Sequence, residues 1–288
     1  MIRGGSAAAR SMTPDPVPEN PVSPRPAHPP QWEFSRAEPV LIISDIHANW
    51  EALVAVLDAT EGQWRHCICL GDVVGYGANP VECSLWVRDH CEIIVRGNHD
   101  RVAAHPEGLQ DFNWLARRAV EWTREQLPPG MLEWIAGLTP GPVDYQSCEL
   151  VHGSVRDEDE YMLSLEQAAD CLPLASSTLT FFGHTHVQGG YQQAASEVVA
   201  LEGELSSEHD ARTLVQYVDI QLRPDVRYLL NPGSVGQPRD GDWRAAFALW
   251  TGERLRLGRV PYNLPLTQRK ILSAGLPAQL AQRLSAGQ

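Results

Sequence analysis

The chain has no apolar stretch approaching the ~18 residues needed to cross a bilayer, so no membrane-spanning helix is expected. It also has no block of lysine or arginine: 23 basic residues face 36 acidic ones, for a net charge of −13. A nucleic-acid duplex or an anionic membrane surface is therefore not the expected partner. There are only six cysteines, and most lie inside apolar runs. Cys67 and Cys69 are separated by one residue on an expected strand, so they point the same way and do not easily bridge. Reduced core cysteines in a cytoplasmic protein are the expectation. The stretch from Met1 to Arg10 lacks the apolar segment of a secretory signal.

Regular structure is not expected in residues 1–37. Prolines such as Pro14, Pro16, Pro18, Pro29 and Pro30 remove backbone donors and block helix and sheet alike. This reads as a disordered or polyproline-like tail. The remainder, without internal repeats, is long enough for one large α/β domain, placed at residues 38–264, with a C-terminal helical segment at 265–288. A tryptophan-rich helical insert is expected at about 101–140, either lining a pocket or packing as a layer on the core. Ser164 and Gln167 have the spacing of a capping box. Residues 188–212 are polar, weakly patterned and expected to form a loop or irregular hairpin.

Several short apolar runs end abruptly in polar residues. Leu179 to Phe182 runs into Gly183-His184-Thr185-His186. Pro39 to Ser44 runs into Asp45-Ile46-His47, with Asn49 as the cap of a following helix. His66 to Leu70 ends in Gly71-Asp72, Cys91 to Val95 in Arg96-Gly97-Asn98-His99-Asp100, and Glu149 to Val151 in His152-Gly153-Ser154. Strands alternate with helices, the pattern of a layered α/β fold, in which functional groups gather at strand carboxyl ends.

Asp45, His47, Asp72, Asn98, His152, His184 and His186 are then oxygen and nitrogen donors with no thiolate among them. Such a set suits manganese, iron, nickel, zinc or magnesium and disfavours a cysteine-built zinc cage. Seven donors are too many for one ion with an open position; they suit two divalent ions sharing a carboxylate.

In order and spacing, these five motifs resemble those of the calcineurin-like metallophosphoesterases. With the stretches 71–80, 152–161 and 231–240, they look like the small bacterial branch often labelled phosphodiesterase or diadenosine-tetraphosphatase-like. The resemblance implies a four-layer αββα sandwich, two mixed sheets face to face with helices outside. It implies one ion held by Asp45, His47 and His186, a second by Asn98, His152 and His184, and Asp72 bridging them, with manganese favoured. A bridging hydroxide would attack phosphorus in line on a small phosphoester. His99 would protonate the leaving oxygen and, with Asn98, help bind phosphate; orienting its neighbours is the alternative. Arg96 would either touch phosphate or pair with a carboxylate, and Arg239 is a further candidate for phosphate. Gly75 stands where Ser/Thr phosphatases carry an aspartate that supports the catalytic histidine, and Tyr76-Gly77 replaces an arginine-bearing version of that motif. Both departures speak against a protein phosphatase. A non-catalytic scaffold of the same fold is the other rival, and the intact donor set argues against it.

Overall fold

The structure is a computed structural model that describes residues 38–206 and 212–288. The proline-rich stretch lies outside the described residues. Among the described residues, thirteen strands and eight α-helices follow one another in chain order. Strands β1 (Val40–Ile43), β2 (His66–Cys69) and β3 (Ile93–Ile94) are parallel and are linked through α1 (Trp50–Ala59) and α2 (Pro80–His90). The helices α3 (Asn98–Ala104), α4 (Trp114–Gln126) and α5 (Pro129–Ala136) then interrupt the alternation.

A second group of strands follows: β4 (Val143–Tyr145), β5 (Cys148–Leu150), β6 (Leu179–Phe181), β7 (Gly189–Ala194) and β8 (Glu197–Ala200), with α6 (Leu165–Cys171) between β5 and β6. The chain continues through β9 (Glu204–Leu205), β10 (Gln216–Gln221), β11 (Arg227–Asn231), β12 (Ala245–Thr251) and β13 (Arg254–Val260). It closes with α7 (Leu264–Ser273) and α8 (Ala278–Leu284). One sheet has the order β3-β2-β1-β12-β13-β10-β9 and the other β4-β5-β6-β11-β7-β8; both mix parallel and antiparallel pairs.

Alternation along β1 shows why the strands are apolar throughout. Val40 and Ile42 face the second sheet, packing with Ile68, Leu150, Phe181, Leu230 and Trp250. Leu41 and Ile43 face outward into a second cluster with Leu53 and Val56 of α1 and Val87 of α2. A strand buried on both faces has no reason to carry polar residues. Phe182 and Leu229 pack against Ala168 and Cys171 of α6, which completes the fourth layer. The fold is therefore the αββα sandwich of two mixed sheets. All six cysteines are free, and Cys67 and Cys69 share the outer cluster as the strand period requires.

Local signals held at the caps. Asn49 accepts from Ala52 N at 3.2 Å, and Ser164 and Gln167 form the reciprocal box. They held less well where apolar content was averaged over a segment. The run from Cys91 to Val95 gives only a two-residue strand. The weakly patterned stretch after His186, by contrast, takes the hairpin alternative, with β7–β8 at one edge of the second sheet. Trp114 is 61 % exposed, while α4 buries Ala116, Ala119, Val120 and Thr123. No helix among the described residues is long and apolar enough to cross a membrane.

Candidate metal centre

The strand ends converge. Asp45, His47, Asp72 and His186 bring donor atoms within 4.8 Å of one another, and so do Asp72, His152 and His184. Asp72 belongs to both groups. Its Oδ1 accepts from His99 N at 2.8 Å, in the first turn of α3. That leaves Oδ2 toward the centre, 3.6 Å from His47 Nε2 and 3.4 Å from His152 Nε2. Asn98 stands beside the second group, its Oδ1 3.4 Å from His152 Nε2.

Each imidazole is oriented by a backbone carbonyl. His47 Nδ1 donates to Val74 O at 3.0 Å, His152 Nδ1 to Leu70 O at 2.8 Å, and His186 Nδ1 to Gln237 O at 2.6 Å. His184 reverses the pattern: its Nε2 donates to Asp159 O at 3.2 Å, which leaves Nδ1 for the centre. Fixing the proton on one nitrogen keeps the other lone pair free for an electrophile. In consequence His47 Nε2 and His186 Nε2 face each other at 3.1 Å, lone pair to lone pair. Asp45 Oδ1, 3.1 Å from His186 Nε2, is buried without a donor. Acceptors packed together in a dry site repel unless a cation lies among them. The donor set therefore fits divalent ions.

The backbone is shaped for this purpose. Asp45, His47, Asp72, His184 and His186 all lie in the left-handed region, with φ between 46° and 62°. Non-glycine residues reach it at a cost, and such strain gathers at functional sites. The surroundings over-determine the turns. Asp100 accepts from Val73 N, Val74 N and Gly97 N; Ser234 Oγ donates to Asp45 O; Asn231 Nδ2 donates to Gly183 O. Gly97 is required by contact: an added Cβ would lie 2.2 Å from Asp72 Oδ1 and 2.3 Å from Asp72 N. Gly97→Ala is expected to destabilise the fold by about 1–3 kcal/mol, the usual cost of overpacking, and to displace Asp72. A melting curve and the bound-metal content check both.

Burial sets the charges. It pushes His47 and His184 down, His184 to about 3, so both are neutral donors at neutral pH. Burial also lowers His152, but the neighbouring Asp72 carboxylate outweighs it and raises the ring to about 10. Burial raises Asp72 in turn, and His152 and His99 hold it well below the ordinary range. In the metal-free protein a raised His152 adds stability that is full below about pH 6.5, its ordinary value, and lost as pH rises through 10. A metal ion must displace that proton. Metal binding at the Asp72–His152–His184 group is therefore expected to release a proton and to tighten with pH up to about 10. Calorimetric titrations in buffers of different ionisation enthalpy count that proton; none released would contradict the assignment.

The calcineurin-like phosphoesterase superfamily domain profile matches residues 39–253. The chain belongs to this superfamily. The phosphoesterase is 32 % identical over 254 residues to an uncharacterized protein of Methanocaldococcus jannaschii, covering 86 % of this chain and 98 % of that one. It is 36 % identical to a metallophosphoesterase of known structure from Sphaerobacter thermophilus, with a TM-score of 0.72, covering 88 % of this chain and all of the other. A hypothetical protein of Pyrococcus horikoshii shares the fold at a TM-score of 0.68 and 17 % identity, over 87 % of this chain and 98 % of that one. The chain is thus a metal-dependent phosphoesterase, and its two donor groups point to a dinuclear divalent centre.

The remaining expected site residues divide. His99 borders a cavity of about 270 Å³ beside Asn98 and His184. Its Nδ1 is buried without a partner, 2.4 Å from where a Cβ on Gly75 would stand. No carboxylate fits there, so burial lowers the ring to about 4. Arg96 is paired with a carboxylate: its guanidinium donates to both oxygens of Glu158 at 3.0–3.3 Å. Arg101 joins it on Glu158 and Asp159. These arginines steady the loop whose Asp159 carbonyl orients His184. Arg239 lies near the site, its Cζ 5.8 Å from the Tyr76 ring centroid. The cavity walls include Phe112, Asn113 and Ala116 from the insert, but also Asp159 and Tyr161 from the stretch that follows His152. Among the described residues, none of 188–206 or 212–230 is part of that lining.

Proposed function

We propose that the protein hydrolyses phosphodiester or nucleotide substrates at two divalent ions, manganese favoured, held by Asp45, His47 and His186 on one side and Asn98, His152 and His184 on the other, with Asp72 shared. The observation that carries this reading is Asp72 Oδ2, lying 3.6 Å from His47 Nε2 and 3.4 Å from His152 Nε2, two ring nitrogens aimed inward because each ring's Nδ1 is held by a backbone carbonyl. Bound ions supply an activated water and offset phosphoryl charge. The chain supplies position. Asn98, His99 and His184 form one edge of the cavity, so a phosphoryl group there meets amide and imidazole donors together. His99 is the proton donor to the leaving oxygen. Among the described residues nothing replaces the missing aspartate opposite Nδ1, so the substrate's own phosphoryl charge raises the ring, which takes its proton from solvent before passing it to the leaving oxygen.

The cavity, at about 270 Å³, is at the lower end of small-molecule pockets. A small phosphoester fits this size better than a folded phosphoprotein. Hydrolysis of bis(p-nitrophenyl) phosphate is expected with added manganese and is expected to fall sharply in His99→Ala. Inactivity of the native protein across manganese, iron, nickel, zinc and magnesium would favour a scaffold. Phosphate release from phosphopeptides would restore the protein-phosphatase reading.

A further inference from the structure

Acidic partners take up the arginines around the centre almost completely. Arg96 and Arg101 hold Glu158 and Asp159, Arg244 holds Asp242, and Arg259 holds Asp240. Two differ. Arg239 donates from Nη2 to Gln237 Oε1 at 2.9 Å, and its Nε is buried without a partner. Arg283 donates from Nε to the Gln288 main-chain oxygen at 2.7 Å. Among the described residues neither meets an aspartate or glutamate, in a chain with 36 of them. Both close on one ring: the guanidinium carbons lie 5.8 and 5.4 Å from the Tyr76 centroid. Tyr76 in turn stands 4.7 Å from His47 and 4.5 Å from His99, lines the cavity, and has a left-handed φ of 58°.

The two arginines come from distant parts of the chain and are rigidly placed. The Arg239 main-chain N–H donates to His186 O at 3.1 Å, which ties its backbone to a turn of the centre. Arg283 is carried by α8, which packs through Leu280, Ala281 and Leu284 in the same apolar cluster as Tyr76 and α4. Burial and the nearby Arg239 charge both lower the proton affinity of Arg283. Two like charges that meet no aspartate or glutamate side chain favour an anion close to both. Arginine's planar fork suits phosphate oxygens.

Building on the phosphoesterase reading above, we propose that Arg239 and Arg283, gathered by Tyr76, form a second anion subsite beside the metal centre. It takes the phosphoryl group next to the scissile one, so preferred substrates carry at least two linked phosphates. Arg239 is the inner contact and Arg283 the outer.

The test compares binding of α,β-methylene-ADP and AMP to the full chain, with and without manganese, in the native protein, Arg283→Met and Arg283→Lys. Methionine keeps the apolar stem; lysine keeps the charge. The preference for the diphosphate analogue over AMP is expected to fall about tenfold in Arg283→Met, as for one lost charge-assisted contact, and to recover partly in Arg283→Lys. Equal losses for both ligands, with a lower melting temperature, would make Arg283 a latch for α8 and overturn the proposal. An unchanged preference in Arg283→Met would overturn it as well. Failure of the centre itself reads separately: bis(p-nitrophenyl) phosphate, with one phosphate, would then go unhydrolysed whatever the analogue binding shows.

Discussion

Asp72→Asn is expected to lower kcat/KM for a phosphodiester by at least on the order of 10³-fold, with the fold retained. The substitution is isosteric, so Oδ1 still accepts from His99 N and the turn keeps its shape. What is lost is the charge on the one oxygen common to both donor groups. The metal content of the variant is expected to fall below that of the native protein, because neither group keeps its shared anionic donor. The effect also reaches the metal-free protein. Asp72 is what outweighs burial in raising His152, so without it that ring becomes neutral and no longer resists metal by holding a proton. Proton release on metal binding is therefore expected to disappear in Asp72→Asn. Elemental analysis and the same calorimetric titration check both outcomes. An active variant with full metal content would remove Asp72 from the bridging role.

His99→Asn separates the two roles open to that histidine. As a proton donor, it matters most when the leaving oxygen departs poorly as an anion. A loss of about 10²–10³-fold is expected for an alkyl leaving group, the usual share of general acid catalysis. For p-nitrophenolate, which leaves readily, a smaller loss is expected. Metal content is expected to be unchanged, since His99 belongs to neither donor group. An orienting role predicts equal losses for both leaving groups. The pH dependence follows the same logic. The ring is lowered to about 4 in the free protein, chiefly by burial, so activity limited by its proton falls as pH rises. That limb is expected to lie higher for kcat than for kcat/KM, because bound phosphoryl charge favours the protonated ring.

Much of this was legible in the chain because strand ends announce themselves. An apolar run buried on both faces must stop when it reaches a polar cleft, and Ile43-Ser44-Asp45 and Phe182-Gly183-His184 show that stop within a residue or two. The donor residues could be listed for the same reason. Their partners could not. The atoms that orient His47, His152, His184 and His186 are backbone carbonyls of Val74, Leu70, Asp159 and Gln237, and a carbonyl leaves no mark on sequence. The stretch from Asn231 to Arg239 was visible as a polar segment after a strand. Its role became clear only when Ser234 and Gly236 were found bonded to the Asp45 carbonyl. Arg96 has two readings of equal standing in sequence, because its partner Glu158 lies 62 residues away. Arg283 carried no signal, because its relevance depends on α8 folding back against Tyr76.

The most direct test of the centre is an anomalous-difference map from crystals grown with manganese. Two peaks are expected about 3.5–4 Å apart, one on either side of Asp72 Oδ2, with His47 and His186 around the first and His152 and His184 around the second. A single peak, or two that do not share Asp72, would contradict the dinuclear arrangement.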